Sequence, residues 1–160
     1  MFLYKNELFK FDKEFIVDTL FNSYKHPDTL FILPKNCSSL FRYFKDFKYI
    51  GNWDTSKVES MKSMFLDSEF NGDISDWDTS NVKDMSWMFA YSKFNGNISN
   101  WDVSKVKEMD AMFAYSKFNK NISKWNTNSI RRMTNMFQHS EFTGDISKWN
   151  IKRELYGGMF

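Results

Sequence analysis

Two histidines, His26 and His139, and one cysteine, Cys37, are the softest metal ligands and best nucleophile candidates in this chain of 160 residues. A structural zinc needs four such groups converging on one point. These three stand in different modules of the sequence, so a zinc cluster is not expected. No phosphate-cradling glycine loop and no Cys–His or Ser–His–Asp pattern accompanies them. Carboxylates and amides are arranged more regularly. One column holds Asp73, Asn97, Asn121 and Asp145, and another holds Asp54, Asp78, Asp102, Asn126 and Asn150. Stacked carboxylates bind calcium through oxygen ligands. The same residues also stabilise turns by side-chain hydrogen bonds to nearby backbone. Asn replaces Asp freely in both columns and loses ligand charge, which favours turns over calcium. The hydroxyl column Ser75, Ser99, Ser123 and Ser147 has no base beside it and reads the same way. The expectation is of no catalytic residue, no metal and no cofactor.

Recognition is the better prospect. The column Asp67, Tyr91, Tyr115 and His139 and the column Ser63, Trp87, Ala111 and Asn135 vary where their neighbours do not. Trp87, Tyr91 and Tyr115, with His139 in the same register, are candidates for a protein-binding patch flanked by Lys83, Lys107 and Arg131. Aromatic and basic anchors are what protein interfaces favour. The alternative is that these rings only cover the edge of a core.

A repeat must position these residues. Tryptophans stand at Trp53, Trp77, Trp101, Trp125 and Trp149, each 24 after the last. Met61, Met64, Phe65, Phe70 and Ile74 each recur at the same interval through four copies, as does the β-branched column Val58, Val82, Val106 and Ile130. Such self-similarity is the signature of a stacked repeat array. A lone copy could not offset the ordering of its own backbone, so neighbouring copies must bury each other's flat sides. The Met and Phe columns are therefore core.

Within a copy, Val58, Met61, Met64 and Phe65 have the spacing of one face of a short helix or tight turn. Ser56 and Glu59 have capping-box spacing. Phe70-Asn71-Gly72-Asp73 is turn chemistry, and Ile74 to Trp77 is placed as a brief strand pairing with the next copy. The predicted domain organisation is an N-terminal cap over 1–28, a degenerate repeat over 29–52, four repeats over 53–148 and a truncated repeat over 149–160. Phe11, Phe15, Ile16, Leu20 and Tyr24 give the cap its amphipathic helix, ended by His26-Pro27. In the degenerate copy Pro34 falls under Val58, Cys37 under Met61, and Leu40-Phe41 under Met64-Phe65. Cys37 then reads as a small buried apolar side chain.

A net charge of +2 gives no field that calls for nucleic acid. The copies run from −4 over 53–76, through neutral, to +2 over 101–124 and +1 over 125–148, a gradient that permits weak head-to-tail self-association. One cysteine excludes an internal disulfide. No apolar run reaches the roughly 18 residues of a membrane span. The first residues lack the apolar core of a signal peptide, which points to the cytoplasm.

The motif W-D-x-S-x-V-x-x-M-x-x-M-F-x-x-S-x-F-N-x-x-I-S-x-W, as it stands over residues 50–149, resembles the repeat of the BspA-like leucine-rich-repeat surface proteins, of the Mycoplasma-type lipoprotein branch. The resemblance implies an α+β repeat solenoid, a leucine-rich-repeat-like right-handed coil of 24-residue repeats, with a surface or secreted location and roles in adhesion. Cys37 follows Leu33-Pro34-Lys35-Asn36, which is not a lipobox. The expected function is non-catalytic protein binding through the exposed repeat face. The alternative is an intracellular inhibitor or effector, encoded by a phage, virus or pathogen, that blocks a host protein. An enzyme or carbohydrate-binding reading has only the aromatic patch behind it.

Overall fold

A computed structural model describes residues 2–4, 7–9, 31–45, 53–152, 155 and 158–160. The helix expected over Phe11 to Tyr24 lies outside them. Ahead of it, β1 (Phe2–Tyr4) and β2 (Glu7–Phe9) form an antiparallel pair with Leu3 opposite Leu8, and β1 lies beside β3 (Phe31–Ile32). In turn, β3 pairs in parallel with β4 (Trp53–Asp54).

From Asn36 onward the backbone obeys one rule. Single parallel bridges join Asn36 to Ser60, Ser60 to Asp84, Asp84 to Glu108 and Glu108 to Arg132, always 24 residues apart. Around each bridge, backbone donors alternate between two kinds of acceptor. The N–H groups of Met61, Ser63, Phe65 and Asp67 bond to the carbonyls of Asp84, Ser86, Met88 and Ala90 in the next copy, each at 2.9 Å. Those of Met64, Leu66 and Ser68 bond back three residues within their own copy, at 3.1–3.2 Å. Overlapping turns thus replace the short helix that the Val58–Phe65 spacing also allowed. Every backbone donor of this arc is satisfied, half of them by the neighbour.

The turns closed by Met64 and Ser68 have Ser63 and Asp67 as third residue, and that position takes a positive φ in such turns. Among the described residues, ten non-glycine residues have positive φ, and all fall in these two columns: Ser39, Ser63, Trp87, Ala111 and Asn135, and Tyr43, Asp67, Tyr91, Tyr115 and His139. Gly158, at +86°, continues the first column.

Side chains between the copies form columns of stacked rings. Phe41, Phe65, Phe89, Phe113 and Phe137 are buried and follow one another at 5.4–5.9 Å. The Phe70 column is spaced at 6.1–6.3 Å and the Trp column at 6.1–6.4 Å, with almost parallel planes. Both Met columns are fully buried beside them. The side of the copy carrying Phe70 and Trp77 is tied to its neighbours chiefly by side chains. The indoles of Trp101, Trp125 and Trp149 donate to the carbonyls of Ile74, Ile98 and Ile122 at 3.1 Å. Asn71 Oδ1 accepts the N–H of Asn95, Asn95 Oδ1 that of Asn119, and Asn119 Oδ1 that of Thr143, at 2.8–3.0 Å.

Three placements differ from the sequence reading. Ile74 to Trp77 is a turn, closed by the Trp77 N–H on the Ile74 carbonyl, and the inter-copy pairing sits at Ser60 instead. Leu33, not Pro34, is the buried residue at the start of the degenerate copy, because Phe31 pairs with Trp53 at an interval two residues shorter than that of Asn36 with Ser60. At the other end, Met159 and Phe160 take the places of a Met-Phe pair. Asn135 donates to the Gly158 carbonyl, Phe137 donates to that of Met159, Met159 is buried, and Phe160 stacks on Phe137 at 5.5 Å. The column continues there at an interval of 23, one residue short of the others.

Candidate functional site

The two Asp/Asn columns are occupied by turn bonds, save at Asn150, whose Nδ2 donates to Asn128 Oδ1 at 2.8 Å. Asp54, Asp78, Asp102 and Asn126 each accept, through Oδ1, the N–H two residues on, at 2.9–3.2 Å. Asp73, Asn97, Asn121 and Asp145 do the same for Ser75, Ser99, Ser123 and Ser147 at 2.8–3.1 Å. These bonds hold the carboxyls of Asp54, Asp73, Asp102 and Asp145 below their ordinary range. The columns that resembled a calcium ladder act as local turn locks. Ser56 likewise serves Asp54 rather than a helix cap. Cys37 is buried, its thiol reaches the Pro34 carbonyl at 3.3 Å, and burial pushes that thiol up to about 12. A thiol so held is not a nucleophile.

The aromatic candidates behave differently. Trp87, Tyr91 and Tyr115 are 39%, 49% and 44% exposed, in a structure whose other large rings are mostly buried. Tyr91 and Tyr115 stack at 4.6 Å with planes 5° apart, and His139 follows Tyr115 at 4.7 Å. The backbone places them there. All four sit at the positive-φ positions, which send their side chains off the turn and away from the buried Met and Phe columns. Left-handed backbone costs an ordinary residue roughly 1–2 kcal/mol. Ala90, Ala111 and Ala114 form a small apolar cluster separate from the main core, with Leu66 against it.

The cations form a column of their own, with the Lys107 N–H on the Lys83 carbonyl and the Arg131 N–H on that of Lys107, each at 2.8 Å. Lys83 pairs with Glu59 at 2.6 Å, and Glu59 also takes Lys35 at 2.9 Å. Hydrogen bonds from Lys83 and then Lys35 hold the Glu59 carboxyl down to about 2. Lys107 and Arg131 are exposed, and no described contact links either to Trp87, Tyr91 or Tyr115.

Tyr43, 54% exposed, was the ring that sequence reasoning passed over. It stands 24 residues before Asp67, in the same column, inside the degenerate copy. The guanidinium of Arg42 lies 4.6 Å from the centre of its ring. Between Tyr43 and Tyr91 an open groove of about 600 Å³ is lined by Arg42, Tyr43, Lys62, Ser63, Leu66, Asp67, Trp87 and Tyr91. Counting columns by 24 from Tyr91 through Asp67 would have found it.

Residues 35–149 match the family model described as Mycoplasma protein of unknown function, DUF285. The chain belongs to this family. The match takes in the degenerate copy from Lys35 and all four full copies, so the DUF285 region and the array of inter-copy bonds coincide. The BspA-like repeat family is related to DUF285. No curated protein and no solved structure matches the chain. Among the described residues no helix is long and apolar enough to cross a membrane.

Proposed function

We propose that this DUF285 chain is a non-catalytic protein-binding repeat solenoid of leucine-rich-repeat type, related to BspA-like adhesion modules, and that it binds through the face bearing Trp87, Tyr91, Tyr115 and His139. One observation carries the reading: large rings are held exposed, in register, on backbone that disfavours them. Strained residues persist where the surroundings over-determine them, and they gather at ligand-contacting sites. Aromatic side chains presented on a rigid surface supply large contact area with little entropy to lose. The polar columns, by contrast, are spent on turns and on inter-copy bonds, which leaves little chemistry for an enzyme.

The test is the double variant Trp87→Ala, Tyr115→Ala, assayed against whatever protein the wild-type chain captures. Partner binding is expected to fall while the melting temperature holds. Wild-type affinity in that variant would remove this face from consideration.

A further inference from the structure

The exposed ring column has a missing rung. Tyr43, Tyr91, Tyr115 and His139 occupy it, and Asp67 interrupts it. Tyr91 has one face covered by Tyr115 at 4.6 Å. Tyr91 also lines the groove over Asp67, where the copy over 53–76 contributes a short side chain and no ring to the column. Copies joined by parallel backbone bonds stand ~4.8 Å apart, so Tyr43 and Tyr91, two copies from each other, are separated by roughly twice that. One planar ring fits such an interval at ordinary stacking distance on both sides.

The charge of the groove selects what accompanies the ring. Asp67 is already paired with Lys45 at 3.1 Å. Arg42 and Lys62 line the groove, and neither makes an ion pair among the described residues. Two cations outside the described ion pairs, beside a slot for a ring, match an aromatic side chain flanked by carboxylates. Building on the protein-binding reading, we propose that the groove takes an acidic peptide segment of the partner, its aromatic side chain filling the Asp67 rung against Tyr91 and its carboxylates meeting Arg42 and Lys62.

The variant Asp67→Tyr tests this directly, because it fills the rung from within. Tyrosine already stands in the same column and backbone conformation at Tyr43, Tyr91 and Tyr115, so the variant is expected to fold, with an unchanged or raised melting temperature. A random peptide library selected on the full chain serves as the probe. Selected peptides are expected to carry Phe, Tyr or Trp between acidic residues, to bind more weakly as salt rises, and to lose about tenfold or more in affinity on Asp67→Tyr and on Arg42→Ala with Lys62→Ala. Peptides without that pattern, or peptides indifferent to folded Asp67→Tyr, overturn the proposal, as does a neutral oligosaccharide that displaces them. Binding that ignores Asp67→Tyr yet falls with Trp87→Ala, Tyr115→Ala leaves the broader reading standing. A chain that captures neither peptide nor protein refutes both.

Discussion

Tyr91 and Tyr115 lie closer together, at 4.6 Å, than the buried rings that join the same two copies, Phe89 to Phe113 at 5.9 Å and Phe94 to Phe118 at 6.3 Å. The tightest ring stack joining these two copies is thus on the outside. It is built on residues whose backbone a glycine would adopt at no steric cost.

That backbone gives the first prediction. Tyr91→Gly and Tyr91→Val remove the same stack but differ in tolerance for φ +56°. The glycine variant is expected to be more stable than the valine variant by about 1–2 kcal/mol, read from denaturant midpoints. Equal midpoints would mean that the position is not held left-handed.

Phe89 is fully buried and touches Phe65, Phe94, Trp101 and Phe113, which places it against rings of three copies. Phe89→Ala is expected to cost about 3–5 kcal/mol. Because neighbouring copies share that surface, protection from hydrogen exchange should fall in residues 53–76 and 101–124 as well as locally. A loss confined to residues 77–100 would contradict the shared core.

Acid should loosen the first copies. The Glu59 carboxyl is lowered in the fold to about 2, and Asp54 and Asp73 are lowered also, so each favours the folded state above its unfolded range. That contribution is lost as pH falls through the ordinary carboxylate range toward about 2. Glu59→Gln is expected to lower stability above this window, to flatten the profile within it and to converge with the wild type at its acid end. A profile with the wild-type slope would show that the Lys35–Glu59–Lys83 pairing contributes nothing.

Cys37 should react with a thiol reagent at pH 8 only as the chain opens, since its thiol is buried and raised to about 12. The labelling rate is expected to rise with denaturant in step with unfolding. Immediate labelling of the native protein would contradict the burial.

How much of this was legible beforehand follows from the kind of signal each feature leaves. The Trp, Met and Phe columns announce themselves, because a buried side chain between identical neighbours must keep its type at a fixed interval. The Asp and Asn columns were readable as turn locks for the same reason. The left-handed positions were not, since the residues expected there are Gly and Asn, and the chain uses Trp87, Tyr91 and Tyr115. Inter-copy pairing at Ser60, Asp84 and Glu108 left no apolar alternation to detect, so the strand was placed at Ile74 instead. Tyr43 was hidden by the worn copy around it, and Met159-Phe160 by a single missing residue.

The unequal ring spacings have a geometric consequence. Equivalent atoms in copies related by pure translation would all be equally far apart. Here the separation grows from 4.6 Å at the Tyr column to 6.3–6.4 Å at the Phe94 and Trp101 columns. Rings of adjacent copies are therefore closest beside the hydrogen-bonded arc and farthest apart where Asn and Trp side chains bridge the gap. At 4.6 Å no further ring can enter between Tyr91 and Tyr115, so a ligand can meet that pair only along its edges or at the open ends of the stack.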